Sequence, residues 1–221
     1  MLTGLKNWRP TFELPSPIYN RNGLQESLSS YLYRLKSATN TSLPLLIDEL
    51  RLSYPHLQKR EFIYCLSDSN KIPFNVSGSG QQAHYIAAVL ETIAPQTRWK
   101  RHTLHPSKEE TDFSSPLKLT RKSGWCKKCL ENQVSNGSIV YWPLLWQING
   151  YDHCHIHNTA LSFHCGTCGE PKSDFDTGLP LNSCSYCKTK LNRSGITPQP
   201  TQLEIWHNLK PQIIGERLTR F

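Results

Sequence analysis

Three features of the sequence predict a mainly α-helical protein that continues into small modules held by metal ions. The first hundred residues contain several short stretches with apolar residues at helical spacing. The second half contains four pairs of metal-ligating residues, and two residues separate the members of each pair. The chain is also basic, with a formal net charge of +8. We therefore predict an N-terminal helix-turn-helix-like (HTH-like) helical domain followed by a double zinc-finger domain.

Changes in composition along the chain divide it into five predicted segments. Helical periodicity is confined to the first part, and the paired ligands are confined to the second. The C-terminal tail (198–221) is amphipathic. It fits either a helix that docks on a partner or a segment that folds back on the zinc-finger domain. The segments are an extended N-terminal segment (1–22), a helical HTH-like domain (23–95), a basic linker (96–122), a double zinc-finger domain (123–197) and a C-terminal helical tail (198–221).

The first predicted helix begins near Asn22. Asn22 as N-cap, with Gln25 three residues later, resembles a capping box. The helix is expected to end near Thr39 and Asn40. One apolar stripe recurs at i, i+3, i+4 and i+7, and it consists of Leu28, Tyr31, Leu32 and Leu35.

Three further helices are predicted before residue 95. A second helix begins at Thr41 or Ser42 and tolerates Pro44 in its first turn. Residues 59–66 fit a short third helix, and residues 73–80 are a loop by composition. Residues 81–94 form the last helix, whose predicted inward residues are Ala83, Ile86, Ala87, Leu90 and Ile93.

The positive charge lies mainly in the first half. Residues 1–122 carry 16 Lys and Arg against 10 Asp and Glu, whereas residues 123–221 carry 9 against 7. This distribution favours contact with a polyanion such as DNA or RNA, although the basic linker also fits a solvated connector. The candidate nucleic-acid or partner-binding residues are Arg34, Lys36, Arg98, Lys100, Arg101, Arg121 and Lys122.

The cysteines are expected to stay reduced. No run of eighteen apolar residues occurs, so no membrane contact is expected. The first ten residues lack an apolar signal core, so we expect a cytoplasmic protein. In a reducing compartment, paired cysteines indicate metal ligands rather than disulfides.

Four ligand pairs follow one another along the chain. Two ligands separated by two residues fit one tight turn and face one ion, and two such pairs complete a zinc tetrahedron. No position is then left for water, which favours structural zinc over catalytic zinc. An iron–sulfur cluster is disfavoured by the histidine and by the spacing. The pairs are Cys126 and Cys129, Cys154 and His157, Cys165 and Cys168, and Cys184 and Cys187.

The spacing allows sequential, interleaved or nested pairing of these turns, and sequential pairing is the simplest. It places the first two pairs on one Zn²⁺ ion and the last two on a second. His153 and His155 are expected to point away from the ions, and His164 is expected to lie at the surface or just outside the ligands. Cys65 is expected to be a core thiol.

An aromatic segment lies between the first two pairs. Ile139, Trp142, Leu145 and Trp146 fit one apolar face of a helix, which Gly150 would close. We expect this helix to pack between the zinc module and the helical domain. An exposed aromatic face that binds a protein partner is the alternative.

Two stretches together resemble the TniQ family, which includes TnsD-type target selectors of Tn7-like transposons. Residues 125–169 are similar to the family signature, with Leu130, Trp146, Leu161 and Gly169 at its marked positions. Residues 26–39 resemble the family's N-terminal helix. The matching residues in that helix are Glu26, Ser27, Ser30, Tyr31 and Arg34.

The resemblance implies an HTH-like domain, a double zinc finger and a bacterial cytoplasmic role in transposition. Family members link target recognition to the AAA+ ATPase TnsC. The short chain favours an adaptor that docks on a CRISPR effector complex with its guide RNA, at a target DNA. A stand-alone, sequence-specific DNA-binding protein of TnsD type is the alternative. The oligomeric state is left open, a homodimer included.

An enzyme is not expected. The zinc deaminase pattern requires H-x-E before a C-x-x-C pair, and the sequence contains no H-x-E. It also contains no Walker A motif and no acidic cluster suited to transposase metals.

Overall fold

Three α-helices and two small antiparallel sheets make up the regular structure of the described residues. The computed structural model describes residues 14–19, 24–39, 71–104, 123–172 and 174–192. The helices are α1 (Leu28–Thr39), α2 (Gln81–Ile93) and α3 (Lys127–Ser135), and the strands are β1 (Lys71–Pro73), β2 (His153–Cys154), β3 (Thr159–Ala160) and β4 (Asp174–Asp176). Short 3₁₀ helices cover Phe74–Ser77, Trp99–His102 and Leu144–Gln147.

Helix α1 ends at Thr39, as predicted, but it begins later than predicted. Ser27 is its N-cap, because the Ser27 hydroxyl accepts a hydrogen bond from the backbone N–H of Ser30 at 3.3 Å. The predicted cap, Asn22, lies outside the described residues. Gln25 does not cap the helix, since its side-chain amide donates to the carbonyl of Arg101. The predicted apolar stripe of α1 is buried throughout.

Helix α2 matches its prediction closely. Ala83, Ile86, Ala87 and Leu90 are buried, as the periodicity indicated, whereas the side chain of Ile93 is not described. The loop predicted at 73–80 is wrong in part. Its first residues belong to β1 and to the 3₁₀ helix Phe74–Ser77, because Phe74 and Val76 are buried in the core.

The aromatic helix predicted around Trp142 is replaced by extended backbone and the 3₁₀ helix Leu144–Gln147. This segment runs beside the start of α1. The N–H of Ser27 donates to the carbonyl of Trp142 at 2.9 Å, and the N–H of Leu144 donates to the carbonyl of Gln25 at 2.9 Å. These bonds use backbone groups that an α-helix would have satisfied internally.

Burial of the aromatic segment also settles the alternative of an exposed partner-binding face. Trp142, Leu145 and Trp146 have no exposed surface, so that alternative is wrong for these three residues. Ile139, which was predicted to share their face, is instead 59% exposed. Gly150 follows the 3₁₀ helix with φ of 87°, a conformation that glycine adopts without steric cost.

The strand pair β1–β4 joins distant parts of the chain. Ile72 pairs with Phe175 in an antiparallel register. Strand β4 lies between the third and fourth ligand pairs, whereas β1 lies in the predicted helical domain. The side chain of Lys36 on α1 donates to the Thr177 hydroxyl at 2.8 Å, just after β4. The two halves are therefore interlocked.

Aromatic rings fill the space between the halves. Phe175 lies at the centre, and its ring centroid is 4.9 Å from Phe74, 5.5 Å from Trp142 and 6.2 Å from Tyr33. Trp142 also packs edge-on against Trp146 at 5.2 Å. These contacts create one continuous hydrophobic core from α1 to the cysteine-rich half.

A buried carboxylate, Glu26, organises the start of α1. Its oxygens accept bonds from Arg34 Nε at 2.8 Å, Arg34 Nη2 at 2.7 Å, Ser30 Oγ at 2.9 Å and the Ile18 N–H at 3.1 Å. Ser30 and Arg34 are four residues apart on α1 and share one face of it, and Glu26, one residue before the N-cap, bonds to both. Four donors therefore satisfy a carboxylate that has no exposed surface.

A buried hydroxyl network extends from this site. The Gln147 amide donates to Ser27 Oγ at 3.1 Å and to Ser29 Oγ at 2.9 Å. The hydroxyl of Ser77 donates to Ser29 Oγ at 3.0 Å. Buried polar groups need such partners, and here the partners come from both halves of the chain.

The first part of the predicted basic linker packs into this core. Trp99 and His102 are buried, and His102 Nδ1 donates to the carbonyl of Glu26 at 2.6 Å. Residues 105–122 lie outside the described residues, so the predicted linker and domain boundaries stay predictions.

Several other predictions concern residues outside the described ranges. They concern the helices from Thr41 and at 59–66, the core thiol Cys65 and the tail 198–221. The HTH-like arrangement therefore stays a prediction. None of the described helices is long and apolar enough to cross a membrane.

We predict that Glu26→Gln will destabilise the protein by about 3 kcal/mol, because the neutral amide leaves Arg34 buried without its counter-charge. The amide nitrogen would also face a donor, since four donors converge on this group. The arginine side chain is only 10% exposed. Urea unfolding followed by tryptophan fluorescence measures this change. The exposed Glu131→Gln is the control, and an equal loss in both variants would refute the prediction.

A second prediction concerns His102. Burial lowers the pKa of His102 below the ordinary 6.5. The hydrogen bond to the Glu26 carbonyl raises this pKa, but the effect of burial is larger. Below pH 6.5 the unfolded chain therefore binds a proton that the folded chain does not bind. The free energy of unfolding then falls as pH falls, by up to about 1.4 kcal/mol per pH unit.

His102→Asn tests this dependence, because the asparagine amide can replace the Nδ1–H donor without titrating. We expect the wild type to lose about 1 kcal/mol more stability than the variant between pH 7 and pH 5.5. Protonation of the cysteine and histidine ligands affects both proteins equally and cancels. Parallel pH dependences in urea unfolding would contradict the prediction.

Candidate metal centres

The first centre brings together Cys126, Cys129, Cys154 and His157. Their ligand atoms all lie within 4.8 Å of one another. Cys129 Sγ is 3.6 Å from Cys154 Sγ, and His157 Nδ1 is 3.2 Å from Cys129 Sγ and 3.5 Å from Cys126 Sγ. Around tetrahedral zinc, sulfur atoms lie about 3.8 Å apart and sulfur and nitrogen about 3.5 Å apart. The residues therefore fit a zinc ion.

Different elements position these four ligands. Cys126 is the N-cap residue of α3, and Cys129 lies in the helix's first turn. Cys154 ends β2, and His157 lies in the turn that leads to β3. The two strands pair through His153 with Ala160 and Cys154 with Thr159. The pairing returns the chain so that a helix turn and a hairpin turn face one point.

Asn132 contacts the histidine ligand from one turn further along α3 than Cys129. Its amide nitrogen Nδ2 lies 3.1 Å from His157 Nε2. A metal ion on Nδ1 would leave the proton on Nε2. The Asn132 amide would then have to turn over so that Oδ1 accepts that hydrogen bond, as the outer partners of ligating histidines commonly do.

The second centre brings together Cys165, Cys168, Cys184 and Cys187, again within 4.8 Å. Cys165 Sγ is 3.6 Å from Cys187 Sγ, and Cys168 Sγ is 3.6 Å from Cys184 Sγ. Both separations suit the edge of a zinc tetrahedron. The all-thiolate set favours zinc over hard cations such as Mg²⁺ or Ca²⁺. Cys168 is exposed, so this centre lies closer to solvent than the first.

The three turns at the later ligand pairs share one backbone feature. Each is followed by a residue in the left-handed conformation: Asn158 with φ of 47°, Gly169 with φ of 74° and Lys188 with φ of 63°. In the second centre, Gly169 N–H donates to the Cys165 carbonyl at 2.9 Å, and Lys188 N–H donates to the Cys184 carbonyl at 3.0 Å. This conformation closes each turn tightly enough for both of its ligands to face one ion.

A threonine follows the last ligand of each centre by two residues. Thr159 Oγ1 lies 3.7 Å from Cys126 Sγ, and Thr189 Oγ1 lies 3.7 Å from Cys165 Sγ and 3.0 Å from Cys187 Sγ. A hydroxyl donor favours the charged form of a sulfur. The two centres therefore repeat the same outer contact on different sequences.

Polar contacts prepare individual sulfurs for ionisation. Hydrogen bonds from the thiols of Cys129 and Cys154 hold the pKa of Cys126 far below its usual range. At Cys165, burial opposes ionisation, but the backbone N–H groups of Cys168 and Thr167 outweigh it and lower the pKa to about 6. The Thr189 hydroxyl also lowers the pKa of Cys187. Since the thiolate is the metal-binding form, the first centre contains one sulfur, and the second two, that are already favoured to bind.

The sequential grouping of ligand pairs is the one found in the structure, among the three arrangements that the spacing allowed. The neighbouring histidines turn elsewhere, as expected. His153 Nδ1 contacts Asp152 Oδ1 at 2.8 Å, and His155 Nδ1 contacts the Tyr151 hydroxyl at 2.7 Å. His164 is exposed beside the second centre.

A model of the TniQ family matches residues 21–161, which is more than half of the chain. The chain belongs to the TniQ family. No curated protein matches it. Family membership indicates a target-selection protein of Tn7-like transposition, which acts with DNA and with other transposition proteins. The matched range spans the Glu26 site and the first metal centre.

The TniQ signature residues have clear structural roles here. Leu130, Trp146 and Leu161 are buried in the common core. Gly169 provides the left-handed residue that ends the third ligand turn. In the N-terminal helix motif, Glu26 and Arg34 form the buried ion pair, and Ser27 caps α1. The two parts of the signature therefore pack directly against each other.

The basic residues predicted to contact nucleic acid have different surroundings in this TniQ chain. Arg34 holds Glu26 and Lys36 donates to Thr177, so either would have to release these groups to bind a ligand. Arg98 and Lys100 are exposed, and Arg101 is half-buried. Arg121 and Lys122 lie outside the described residues. Nucleic-acid contact by any of these residues stays a prediction.

Sequence reasoning missed Lys172, a buried cation beside the second centre. Its Nζ donates to the Ser183 carbonyl at 3.0 Å and lies 5.6 Å from the Trp142 ring centroid and 5.4 Å from that of Phe175. Burial lowers the pKa of Lys172 to about 8. No periodic signal marks a single buried lysine, although its position between two ligand pairs could have drawn attention to it.

We predict two zinc ions per wild-type chain and one per chain in Cys165→Ser. Loss of the second ion removes the turns that support β4, so backbone N–H groups of β1 should also exchange faster with solvent. Elemental analysis and hydrogen–deuterium exchange at the backbone amides of Lys71 and Ile72 measure these effects. Cys65→Ser is the matched control, because Cys65 belongs to neither predicted ligand set. Unchanged zinc content in Cys165→Ser would refute the assignment.

Proposed function

We propose that this TniQ-family chain is a non-enzymatic targeting adaptor of a Tn7-like, CRISPR-associated transposon. It bridges an RNA-guided effector complex, bound to target DNA, to the AAA+ regulator TnsC, and thereby directs insertion. In this role the chain performs no reaction itself. It holds two protein partners in a fixed relation.

The interlocking of the two halves is the observation that carries this proposal. The start of α1 bonds to the backbone around Trp142, and β1 pairs with β4 from beyond the third ligand pair. An adaptor transmits position only if its two binding surfaces do not move independently. A shared core with buried polar bonds provides that stiffness, because separating the halves would leave those groups without partners.

The metal centres support a structural role over a catalytic one. Each centre offers four protein ligands, and four ligands complete the coordination of structural zinc. A zinc ion there would contribute folding free energy to segments with few apolar residues of their own. The residues beyond the ligands contact the histidine or the sulfurs, as Asn132 and Thr189 do.

A stand-alone DNA-binding selector of TnsD type is a second candidate. The specific observation in its favour is the exposed cationic group of Arg98 and Lys100. However, Arg34 and Lys36, the α1 residues suited to reach base edges, are engaged inside the protein. Exposed cations that contact only phosphate do not read sequence, so the adaptor remains the better supported function.

Affinity purification of the tagged chain from its native host, with nucleic acids retained, tests the proposal. We expect the AAA+ ATPase and CRISPR effector subunits to be recovered together in near-equal yield. Cys165→Ser should lose the ATPase or the effector, whereas the surface variant Glu131→Gln should retain both. Recovery of neither partner, with tight binding of the purified chain to one duplex sequence, would instead support the TnsD-type selector.

A further inference from the structure

The 3₁₀ helix Trp99–His102 presents cations outward from a fixed base. Trp99 and His102 point into the core, where the Tyr31 and Trp99 ring centroids are 4.5 Å apart. Lys100 and the preceding Arg98 are exposed, and Arg101 is half-buried. The carbonyl of Arg101 accepts from the Gln25 amide, so this turn is attached to the start of α1.

The charges at this turn are not neutralised by the rest of the described structure. None of Arg98, Lys100 and Arg101 forms a salt bridge within the described ranges. Arg101 Nε is buried and has no hydrogen-bond partner in that part of the chain. Burial lowers the pKa of Arg101, and the positive charge of Arg98 lowers it further.

An aromatic residue completes the same surface. Tyr19 is 49% exposed, and its ring packs edge-on against His102 with centroids 4.9 Å apart. Burial raises the pKa of Tyr19, and the positive charges of Arg101 and Arg98 oppose that rise. An exposed phenol therefore lies against the same short turn that carries the three cations. We call Tyr19, Arg98, Lys100 and Arg101 the arginine surface.

We propose that the arginine surface binds the phosphodiester backbone of a nucleic acid. Guanidinium groups match phosphate oxygens with two parallel N–H bonds, and an unneutralised pair of them attracts a polyanion strongly. The net charge of +8 adds long-range attraction of the same sign. The contacts are to phosphate, so binding is expected to ignore base sequence.

This inference deepens the proposed function and rests on it for its setting, in which the adaptor lies beside target DNA or guide RNA. An acidic protein surface is the other class of partner, and the observations favour phosphate. Arg98, Lys100 and Arg101 occupy neighbouring positions on one short turn, and the exposed phenol of Tyr19 can add a neutral hydroxyl donor to phosphate oxygens.

The test measures binding of the purified full chain to a fluorescent duplex DNA of about 30 base pairs, from about 50 to 300 mM salt. The wild-type chain is compared with a test variant that combines three substitutions, Arg98→Gln, Lys100→Gln and Arg101→Gln. The variant should bind at least about tenfold more weakly at 100 mM salt, and its slope of log affinity against log salt should fall by about 2. The exposed pair Arg98→Gln and Lys100→Gln is a second, milder variant. Zinc content checks the folding of both.

A charge-matched control removes three cations elsewhere: Lys127→Gln, Lys128→Gln and Lys190→Gln. It should retain most of the affinity and the slope. Equal weakening in control and test variants, or no measurable binding by the wild type at the lowest salt, would overturn the inference. An RNA duplex and a single strand serve as parallel arms. The ligand that the wild type binds most tightly identifies the nucleic acid. With each ligand, the test variant must bind more weakly than the wild type.

The outcome is separable from that of the proposed function. Binding through the arginine surface without recovery of partner proteins from the host would leave this inference standing and contradict the adaptor. Conversely, partner recovery with the test variant, together with unchanged nucleic-acid affinity, would contradict only the arginine surface.

Discussion

The buried carboxylate of Glu26 is the constraint from which the arrangement of the helical half follows. A charge without solvent contact must be matched, and Arg34, Ser30 and the Ile18 N–H match it from three directions. The arginine also donates to the Ser16 carbonyl at 2.9 Å, so the extended segment 14–19 is held against α1. Through its own carbonyl, Glu26 also fixes His102. One motif residue therefore sets the positions of three chain segments.

The second metal centre extends this order into the cysteine-rich half. The 15 residues between Cys168 and Cys184 do not fold on themselves alone, because β4 lies among them and pairs with β1. Lys172 adds a cation over two aromatic rings of the shared core. A metal ion that closes this segment at both ends would also limit the freedom of β4. Zinc affinity and the packing of the helical half are thus expected to be coupled.

The sequence predicted what depends on local spacing and missed what depends on distant contacts. The metal ligands were identifiable because C-x-x-C turns carry their geometry within four residues. Helices α1 and α2 were found from their apolar stripes. The segment around Trp142 was mispredicted because it is buried on every side, and such a run does not distinguish a helix from extended backbone. Strand β1 has only three residues, and its partner β4 lies about a hundred residues further along the chain, so no local sequence pattern predicts it. Helix α3 was missed because only Cys129 and Leu130 of it are buried.

The two family motifs occur together because each supplies partners for the other's buried polar groups. The serines of the first motif are buried, and a buried hydroxyl at a helix start requires a partner. Gln147 and the backbone of Trp142 supply those partners from the second motif. If either motif changed alone, polar groups of the other would be left unpaired in a region with no solvent access. The pair of motifs thus specifies one interface inside the molecule. The exposed residues on either side of it, including the arginine surface, determine what the protein binds.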